Sequence, residues 1–360
     1  MKVAVLGSGN GGHAVAFDCA RAGHEVCIFD FPQFAKSVEG IQQAGGISSI
    51  GCMEGFQKIA YAGTDLKKVL AGAELIFCVA PSYATEPIAK ACAPYIEDGQ
   101  IYVVMPSSCM GALTFKLALG LEVKDNRITV ADTNTIPYAV RMIEPGKIEV
   151  YNRLPHAYSI ATLPRERGDA VYSIVKEIFE GIEKFDSILQ TTLSNSNPVI
   201  HPVVSTLNAG LIERTGGDFE YYHDGITHSV GNLMEAVDNE RVKIGAALGL
   251  AIEPSNEKGY RQGYFNKLTD DFAEAYNTAP GFAGIKSPPS LDNRYYNEDV
   301  GYTMLFWIDL ADRIGVDVPV LKSLVTIVSA MMKRDYRQDP PRTLAKLGLG
   351  AYTKDDLLRL

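Results

Sequence analysis

The sequence lacks the features typical of a nucleic-acid or membrane partner: it has no basic run, no stacking-aromatic cluster and no long apolar stretch. Acidic residues outnumber basic ones by 43 to 34, which gives a formal net charge of −9. Such a surface repels phosphate backbones and anionic lipid. The most apolar late stretch, residues 323–332, is far shorter than the roughly 20 residues that span a bilayer. We therefore expect no nucleic-acid partner and no membrane partner.

Cysteine is scarce, and its pattern argues against a disulfide framework or a metal site. No two cysteines form a CxxC pair, and no histidine lies nearby at metal-ligand spacing. The first residues form a strand that runs into a glycine turn, not a basic segment followed by an apolar run. We expect a cytoplasmic protein without metal, in which these six cysteines stay reduced: Cys19, Cys27, Cys52, Cys78, Cys92 and Cys109.

The first half of the chain alternates short apolar segments with helical stretches. Strands are expected at residues 2–6, 25–29, 75–79 and 101–105, with later ones near 127–130 and 147–151, and helices at 12–22 and 84–95. The early strands are apolar throughout, as in a parallel sheet covered by helices on both faces. The pattern predicts an α/β domain of the Rossmann type with a parallel sheet, over residues 1–188.

The second half has helical periodicity instead. Apolar residues recur with helical spacing between Ile226 and Leu248 and again between Val300 and Ile314, and residues 319–333 form a third helical stretch. No β-type alternation of comparable length follows residue 190. We expect an all-α domain over residues 189–360. Its apolar stripes either support a homodimer or belong to the core.

The strongest local motif is the glycine turn after the first strand. Gly7, Gly9 and Gly12 satisfy the pattern G-x-G-x-x-G, and Asn10 and Gly11 lie between them. In a strand–turn–helix context, these glycines permit a tight turn, a close approach to a pyrophosphate and close helix packing. The first N–H groups of the helix then face the phosphates. The turn predicts a dinucleotide site, although a glycine turn can serve helix packing alone.

An acidic residue follows the second strand at the place expected for ribose binding. Asp30 lies 18 residues after Gly12, where a carboxylate can accept hydrogen bonds from the ribose hydroxyls. It would repel the 2′-phosphate of NADP, so NAD is favoured. Ala80 and Pro81 end a later strand at the sheet edge that a dinucleotide crosses. Asp30 could also be a turn residue, and Pro81 a strand-end proline.

His201 is the best candidate for an acid/base group. It precedes Pro202, which suits the first position of a helix running to about residue 214. This context predicts that His201 lies at a helix entrance just after the domain junction. An unperturbed histidine titrates near pH ~6.5, which suits proton exchange with a substrate. The competing interpretation is a histidine packed at a helix end.

A second polar segment lies further on, at residues 293–300. Arg294 could bind a substrate carboxylate through two N–H groups. Asp299 could accept a hydrogen bond from His201 and fix its tautomer. The competing interpretation is a helix start, with Asn297 as the N-cap and acidic residues in the first turn.

Taken together, three segments resemble the opine dehydrogenase family, which includes octopine, nopaline and N-carboxyalkyl amino acid dehydrogenases. They are residues 7–14 (GSGNGGHA), 197–202 (NPVIHP) and 294–299 (RYYNED), with a looser match at residues 132–141. The resemblance implies NAD(P)H-dependent reductive condensation of an α-keto acid with the amino group of an amino acid. The product would be a secondary amine that carries two carboxylates.

The resemblance also implies roles for individual residues. His201 would be the general acid/base, paired with Asp299, and Arg294 would hold the keto-acid carboxylate. Thr133 and Asp132 would contact substrate from the nucleotide domain. The family more often has Glu where this chain has Asp132, which places that polar contact in doubt, and arginine is not assumed as the amino substrate.

Two alternatives stay open from sequence. The first is reduction of a simple 2-keto or phosphorylated keto metabolite on the same two-domain plan, which usually employs a lysine as acid/base. Four lysines are available for this role, Lys176, Lys184, Lys243 and Lys258. The second alternative is an NADH-sensing protein without turnover. The sensor is disfavoured because it has no use for an acid/base pair.

Overall fold

The computed structural model describes residues 1–360, which divide into two compact units. The first comprises Met1–Thr191 together with Leu360, and the second comprises Thr192–Arg359. All six cysteines are free thiols, and all except Cys52 are buried. No helix has the length and apolar character needed to cross a membrane.

The first unit contains twelve strands, eight of which form one mixed sheet. They are β1 (Lys2–Leu6), β2 (Glu25–Phe29), β3 (Gly46–Gly51), β4 (Gly55–Lys58), β5 (Tyr61–Gly63), β6 (Leu75–Cys78), β7 (Ile101–Val104), β8 (Thr129–Thr133), β9 (Tyr138–Glu144), β10 (Lys147–Arg153), β11 (Tyr158–Leu163) and β12 (Ile182–Lys184). The order in the large sheet is β12-β11-β8-β7-β6-β1-β2-β5. All of its pairs are parallel except β8 with β11. The Rossmann-type sheet is therefore confirmed.

Six helices belong wholly to this unit, and they explain why the central strands are apolar. They are α1 (Asn10–Arg21), α2 (Ala35–Ala44), α3 (Leu66–Leu70), α4 (Ser82–Cys92), α5 (Gly111–Ala118) and α6 (Gly168–Lys176), and α7 (Ile188–Leu193) crosses the boundary between the units. β1 lies between β2 and β6, so the chain reverses its direction of strand addition there. In open α/β sheets, ligands bind at the carboxyl ends of the strands beside such a switch point.

The first unit also contains a smaller, four-stranded sheet, of which the sequence pattern predicts only β10, near residues 147–151. Its order is β4-β3-β10-β9, and β9 and β10 form an antiparallel hairpin. β3 has the sequence GISSIG, whose glycines and serines have low strand propensity. This sheet matters for the site because its hairpin contacts the glycine turn.

The second unit is helical, as predicted. Its helices are α8 (Asn197–Leu207), α9 (Ala209–Thr215), α10 (His228–Leu248), α11 (Ser255–Arg261), α12 (Phe272–Asn277), α13 (Arg294–Asn297), α14 (Leu305–Ile314), α15 (Pro319–Met332) and α16 (Lys354–Leu357), and a π-helical segment, Asp299–Met304, precedes α14. Its only β-type contact is an isolated bridge between Glu220 and Lys286. The long stripe found in the sequence is the buried face of α10.

The predicted start of the helix that carries His201 is wrong. α8 begins at Asn197, so Pro198 takes the first-turn position that we assigned to Pro202. Pro202 lies inside the helix, where its missing N–H leaves the carbonyl four residues earlier without a helical partner. The helix ends at Leu207 rather than near residue 214. His201 therefore lies within a helix and not at its entrance.

Candidate active site

The three glycines of the turn differ in what a side chain at each position would contact. A Cβ on Gly7, whose φ is +110°, would lie 2.3 Å from the carbonyl oxygen of Val79, and a Cβ on Gly12 would lie 1.9 Å from that of Gly7. A Cβ on Gly9 would meet no atom within 4 Å. Gly9 is the N-cap of α1 and offers no side-chain cap to its first N–H groups. The fold thus requires two of the glycines, while the third faces open space at a helix start that can bind an anion.

The other two residues assigned to the turn lie at the first positions of α1. The side chain of Asn10 binds the neighbouring strand β9, because its Oδ1 accepts a hydrogen bond of 2.9 Å from the amide of Met142. A Cβ on Gly11 would lie 3.0 Å from Cγ1 of Val79. Asn10 therefore links the turn to β9, and Gly11 permits the close approach of Val79, the residue that follows β6.

His13 holds the same turn, a role that the sequence did not reveal. Its ring is fully buried, Nδ1 donates to the carbonyl of Gly9 at 3.0 Å, and Nε2 accepts from the amide of Gly146 at 3.1 Å. Burial lowers the pKa of His13, which keeps the ring neutral as this bonding pattern requires. The β9–β10 hairpin therefore fixes the position of the glycine turn.

Asp30 follows β2 at the expected sheet edge and is already linked to the turn. Its Oδ2 accepts from the amide and the hydroxyl of Ser8, at 2.7 and 2.6 Å, and its Oδ1 accepts from the amide of Phe31 at 2.8 Å. A carboxylate has about four acceptor positions, so one stays available for a ribose hydroxyl. Half-buried Ala80 and exposed Pro81 follow β6, next to β1 in the sheet.

The second unit brings His201 and Asp299 together. Nδ1 of His201 donates a hydrogen bond of 2.8 Å to Oδ2 of Asp299. Burial raises the pKa of Asp299 above that of an ordinary aspartate, and the bond from His201 opposes this rise by favouring the carboxylate. The bond fixes the imidazole tautomer and leaves Nε2 to act on a substrate. The hydroxyl of Tyr222 lies 3.4 Å from that nitrogen.

A π-helical segment carries the aspartate. Asn293 caps the short helix α13 by accepting a 2.8 Å hydrogen bond from the amide of Tyr295. The chain then continues as the π-helix Asp299–Met304 before α14. Such segments are rare and often occur at functional sites. The N-cap is therefore Asn293, and the assignment of that role to Asn297 is wrong.

Arg294 offers a cation close to this pair. Its side chain is 55% exposed, and Nη2 lies 3.2 Å from Oε2 of Glu298, one helical turn further on. Glu298 is itself buried, with 1% of its side chain exposed. The pairing orients one edge of the guanidinium and leaves N–H groups that can bind a carboxylate in a bidentate manner.

Three tyrosines surround His201, and sequence analysis did not select them. The ring of Tyr295 is stacked on the imidazole, with centroids 3.8 Å apart and an interplanar angle of 15°. The hydroxyl of Tyr221 donates a 2.8 Å hydrogen bond to the His201 carbonyl, and the hydroxyl of Tyr222 faces Nε2. A Tyr–Tyr pair at residues 221–222 and another at 295–296 were the only available signal.

Asp132 and Thr133 are fully buried, and their contact with substrate stays a prediction. Oδ2 of Asp132 accepts from the Ser107 hydroxyl at 2.8 Å and from the Ala112 amide at 3.0 Å, and Oδ1 accepts from the Thr191 hydroxyl at 2.6 Å. Thr133 donates to a main-chain carbonyl two residues further on. Both hold the loops that follow the sheet.

The lysines considered for an alternative acid/base role are engaged elsewhere. Lys258 is 5% exposed, and its ammonium group donates to the main-chain carbonyl of Ser194. Lys184 pairs with Asp169, and Lys243 donates to a carbonyl. Lys176 lies over a tyrosine ring.

Known proteins match the chain over its whole length. Residues 184–332 match the family described as NAD/NADP octopine/nopaline dehydrogenase, alpha-helical domain, and residues 2–118 match the N-terminus of NAD-dependent glycerol-3-phosphate dehydrogenase. The opine dehydrogenase of Arthrobacter sp. (strain 1C) is 32% identical over 97% of this chain and 96% of its own length. The octopine dehydrogenase of Mizuhopecten yessoensis is 24% identical over 94% of this chain and 92% of its own.

Solved structures show the same fold. A structure of octopine dehydrogenase in complex with NADH and agmatine has a TM-score of 0.81 at 20% identity, and the match covers 100% of this chain and 98% of that one. A ketopantoate reductase from Ralstonia eutropha JMP134 has a TM-score of 0.62 at 18% identity, covering 92% and 99%. The chain belongs to the opine dehydrogenase family. It is an NAD(P)-dependent oxidoreductase that acts on CH–NH groups.

Proposed function

We propose that residues 1–188 bind NADH and residues 189–360 condense an α-keto acid with the amino group of an amino acid. The keto acid, the amine, NADH and a proton become a secondary-amine dicarboxylate, NAD and water. The His201–Asp299 hydrogen bond of 2.8 Å is the observation that carries this proposal. Both side chains are nearly or fully buried, so the pair is preorganised for proton transfer.

His201 can transfer the protons that amine attack and loss of water both require. Amine attack and loss of water require a proton donor to the carbonyl oxygen, and protonated Nε2 can supply that proton. Asp299 stabilises the imidazolium through Nδ1. In the reverse direction, neutral His201 would accept a proton from water. Arg294, half exposed and oriented by Glu298, would hold the keto-acid carboxylate.

The residues of the glycine turn fit a dinucleotide. The open direction at Gly9, the uncapped start of α1 and the carboxylate of Asp30 match a pyrophosphate next to a ribose. When bound, the nicotinamide supplies the hydride that reduces the imine carbon. The carboxylate of Asp30 favours NAD over NADP. The related octopine dehydrogenase structure is a complex with NADH.

The test is to follow NADH oxidation with pyruvate and a panel of acidic, basic, apolar and aromatic amino acids, with an amine-free control. We expect oxidation that requires an amine and a product whose mass equals the sum of both substrates, minus water, plus two hydrogens. His201→Ala should abolish turnover while NADH still binds. Oxidation with the keto acid alone would instead establish a simple keto-acid reductase.

Cytoplasmic location and homodimer formation are further proposals. Six free cysteines suit a reducing compartment, and the apolar stripes of the helical unit could support an interface. Fractionation with compartment markers tests the first proposal. Light scattering across a range of protein concentrations tests the second.

A further inference from the structure

The ring of Tyr295 is stacked on the imidazole of His201 at short distance. The two rings are 3.8 Å apart and within 15° of parallel. Near-parallel rings also occur between two neutral side chains of this cluster, since Tyr222 and Tyr276 lie within 9° of parallel, but their centroids are 5.7 Å apart. A positively charged ring is attracted to the negative face of a tyrosine. The contact therefore suits an imidazolium better than a neutral imidazole.

Tyr295 is held for this contact by its main chain and by a hydrogen bond between its side chain and that of Tyr222. The side chain of Asn293 accepts its amide hydrogen at 2.8 Å, which fixes the residue at the start of α13. The ring itself is only half-buried. A residue that only filled the core would be buried more completely, so packing alone explains the position poorly.

We propose that Tyr295 is a positioning residue for the general acid: its ring fixes the plane of the His201 imidazole and stabilises the protonated form. Asp299 faces Nδ1 at 2.8 Å, and the Tyr222 hydroxyl faces Nε2 at 3.4 Å. The charges nearest to this pair are those of Arg294 and Glu298, which lie on the same segment. Tyr295 supplies the only stacked ring face on the imidazole. This inference rests on the proposed role of His201.

The proposal makes the pH profile the decisive measurement. In the reductive direction His201 must be protonated, so activity falls as pH rises through its titration. Loss of the ring face would destabilise the imidazolium, and this falling limb would move to lower pH. From typical cation–π strengths, we expect a displacement of about 0.4 to 1 pH unit. The substrate amine ionises identically for every variant, so a difference between variants belongs to the enzyme.

The variants are Tyr295→Leu, which removes the ring, and Tyr295→Phe, which keeps the ring and removes only the hydroxyl. The pH profile of kcat/KM in both reaction directions is compared with an NMR titration of labelled His201. For leucine we expect the falling limb and the His201 titration to move to lower pH. For phenylalanine, which keeps the ring but loses the hydrogen bond to Tyr222, we expect both to stay at the wild-type position even if kcat falls. Tyr295→Met serves as a second ring-free variant if leucine lowers the folded fraction.

Two results would overturn the proposal. If Tyr295→Leu lost activity equally at every pH and its falling limb did not move, Tyr295 would be a packing residue only. An equal displacement in Tyr295→Phe would assign the effect to the hydroxyl. Failure of the proposed function is seen separately, because wild-type protein would then show no amine-dependent turnover, whereas the NMR titration needs no turnover.

Discussion

The carbonyl oxygen of Gly7 lies 1.9 Å from the position that a Cβ on Gly12 would occupy. Gly9, two residues after Gly7, has open space in the corresponding direction and an extended backbone that alanine can adopt. Alanine in place of Gly12 should therefore lower the stability of the fold, whereas alanine in place of Gly9 should weaken NADH binding.

Gly12→Ala should lower the free energy of unfolding by about 1–3 kcal/mol, because main-chain atoms must shift to accommodate the methyl group. Gly9→Ala should keep the wild-type unfolding curve and weaken NADH binding by about tenfold or more, as a methyl group displaces the pyrophosphate. Thermal unfolding and NADH fluorescence titration measure the two effects. Wild-type NADH affinity in folded Gly9→Ala would contradict our placement of the phosphates.

The carboxylate of Asp30 and the hydroxyl of Ser8 provide a matched pair for cofactor choice. Asp30→Ala removes both the proposed ribose contact and the repulsion of a 2′-phosphate, so NADH affinity should fall by about tenfold and the preference over NADPH should shrink. Ser8→Ala removes the same 2.6 Å contact to Asp30 while the carboxylate stays. The Ser8→Ala variant should keep its preference for NADH over NADPH. Equal loss of discrimination in both variants would mean that the turn, and not the charge, selects the cofactor.

The sequence predicted the parts of this fold that depend on one dominant signal. The bounds of β1 and β2 were correct, because both strands are short apolar runs buried on two faces. The smaller sheet was missed except for β10, since β3 relies on pairing with β4 and β10 rather than on strand propensity. Pro198 and Pro202 compete for one helix start, and sequence pattern could not rank them.

The sequence predicted the site, like the fold, only in part. Resemblance supplied His201, Arg294 and Asp299 as a set, and the structure brings His201 and Asp299 into a hydrogen bond. Tyr295 was not selected, because its stacking exists only once α8 and α13 pack together. The substrate contact implied for Asp132 stays a prediction, and sequence could not reveal that three buried donors surround its carboxylate.

Asp132→Ala should act on stability rather than on substrate affinity. It leaves two hydroxyls and one amide without their buried acceptor, which typically costs about 2–4 kcal/mol in total. We expect a lower midpoint in urea unfolding and an unchanged KM in the folded fraction. A raised KM for the amino acid with wild-type stability would restore the substrate-binding role implied by the family resemblance.

Asp299→Asn should leave the fold intact and remove most of the activity. An amide does not stabilise an imidazolium as a carboxylate does and can favour the wrong tautomer, and the corresponding change in hydrolases costs up to about 10,000-fold in kcat. Single-turnover kinetics should show slow chemistry at normal NADH affinity. Wild-type kcat in this variant would remove Asp299 from the mechanism.

Arg294 should govern the keto acid rather than the amine or the cofactor. Arg294→Ala removes a charge-assisted pair worth about 1.5–3 kcal/mol, so KM for the keto acid should rise about 10- to 100-fold. The KM of Arg294→Lys for the keto acid should lie between those of the wild type and Arg294→Ala, because an ammonium group cannot reproduce the two parallel N–H donors of a guanidinium. Arg214→Ala on α9, where the side chain is exposed, is the matched control and should behave as wild type. If the Arg294 variants raise only the KM for the amino acid, the carboxylate held by Arg294 is that of the amine partner, and the two substrates exchange places at His201.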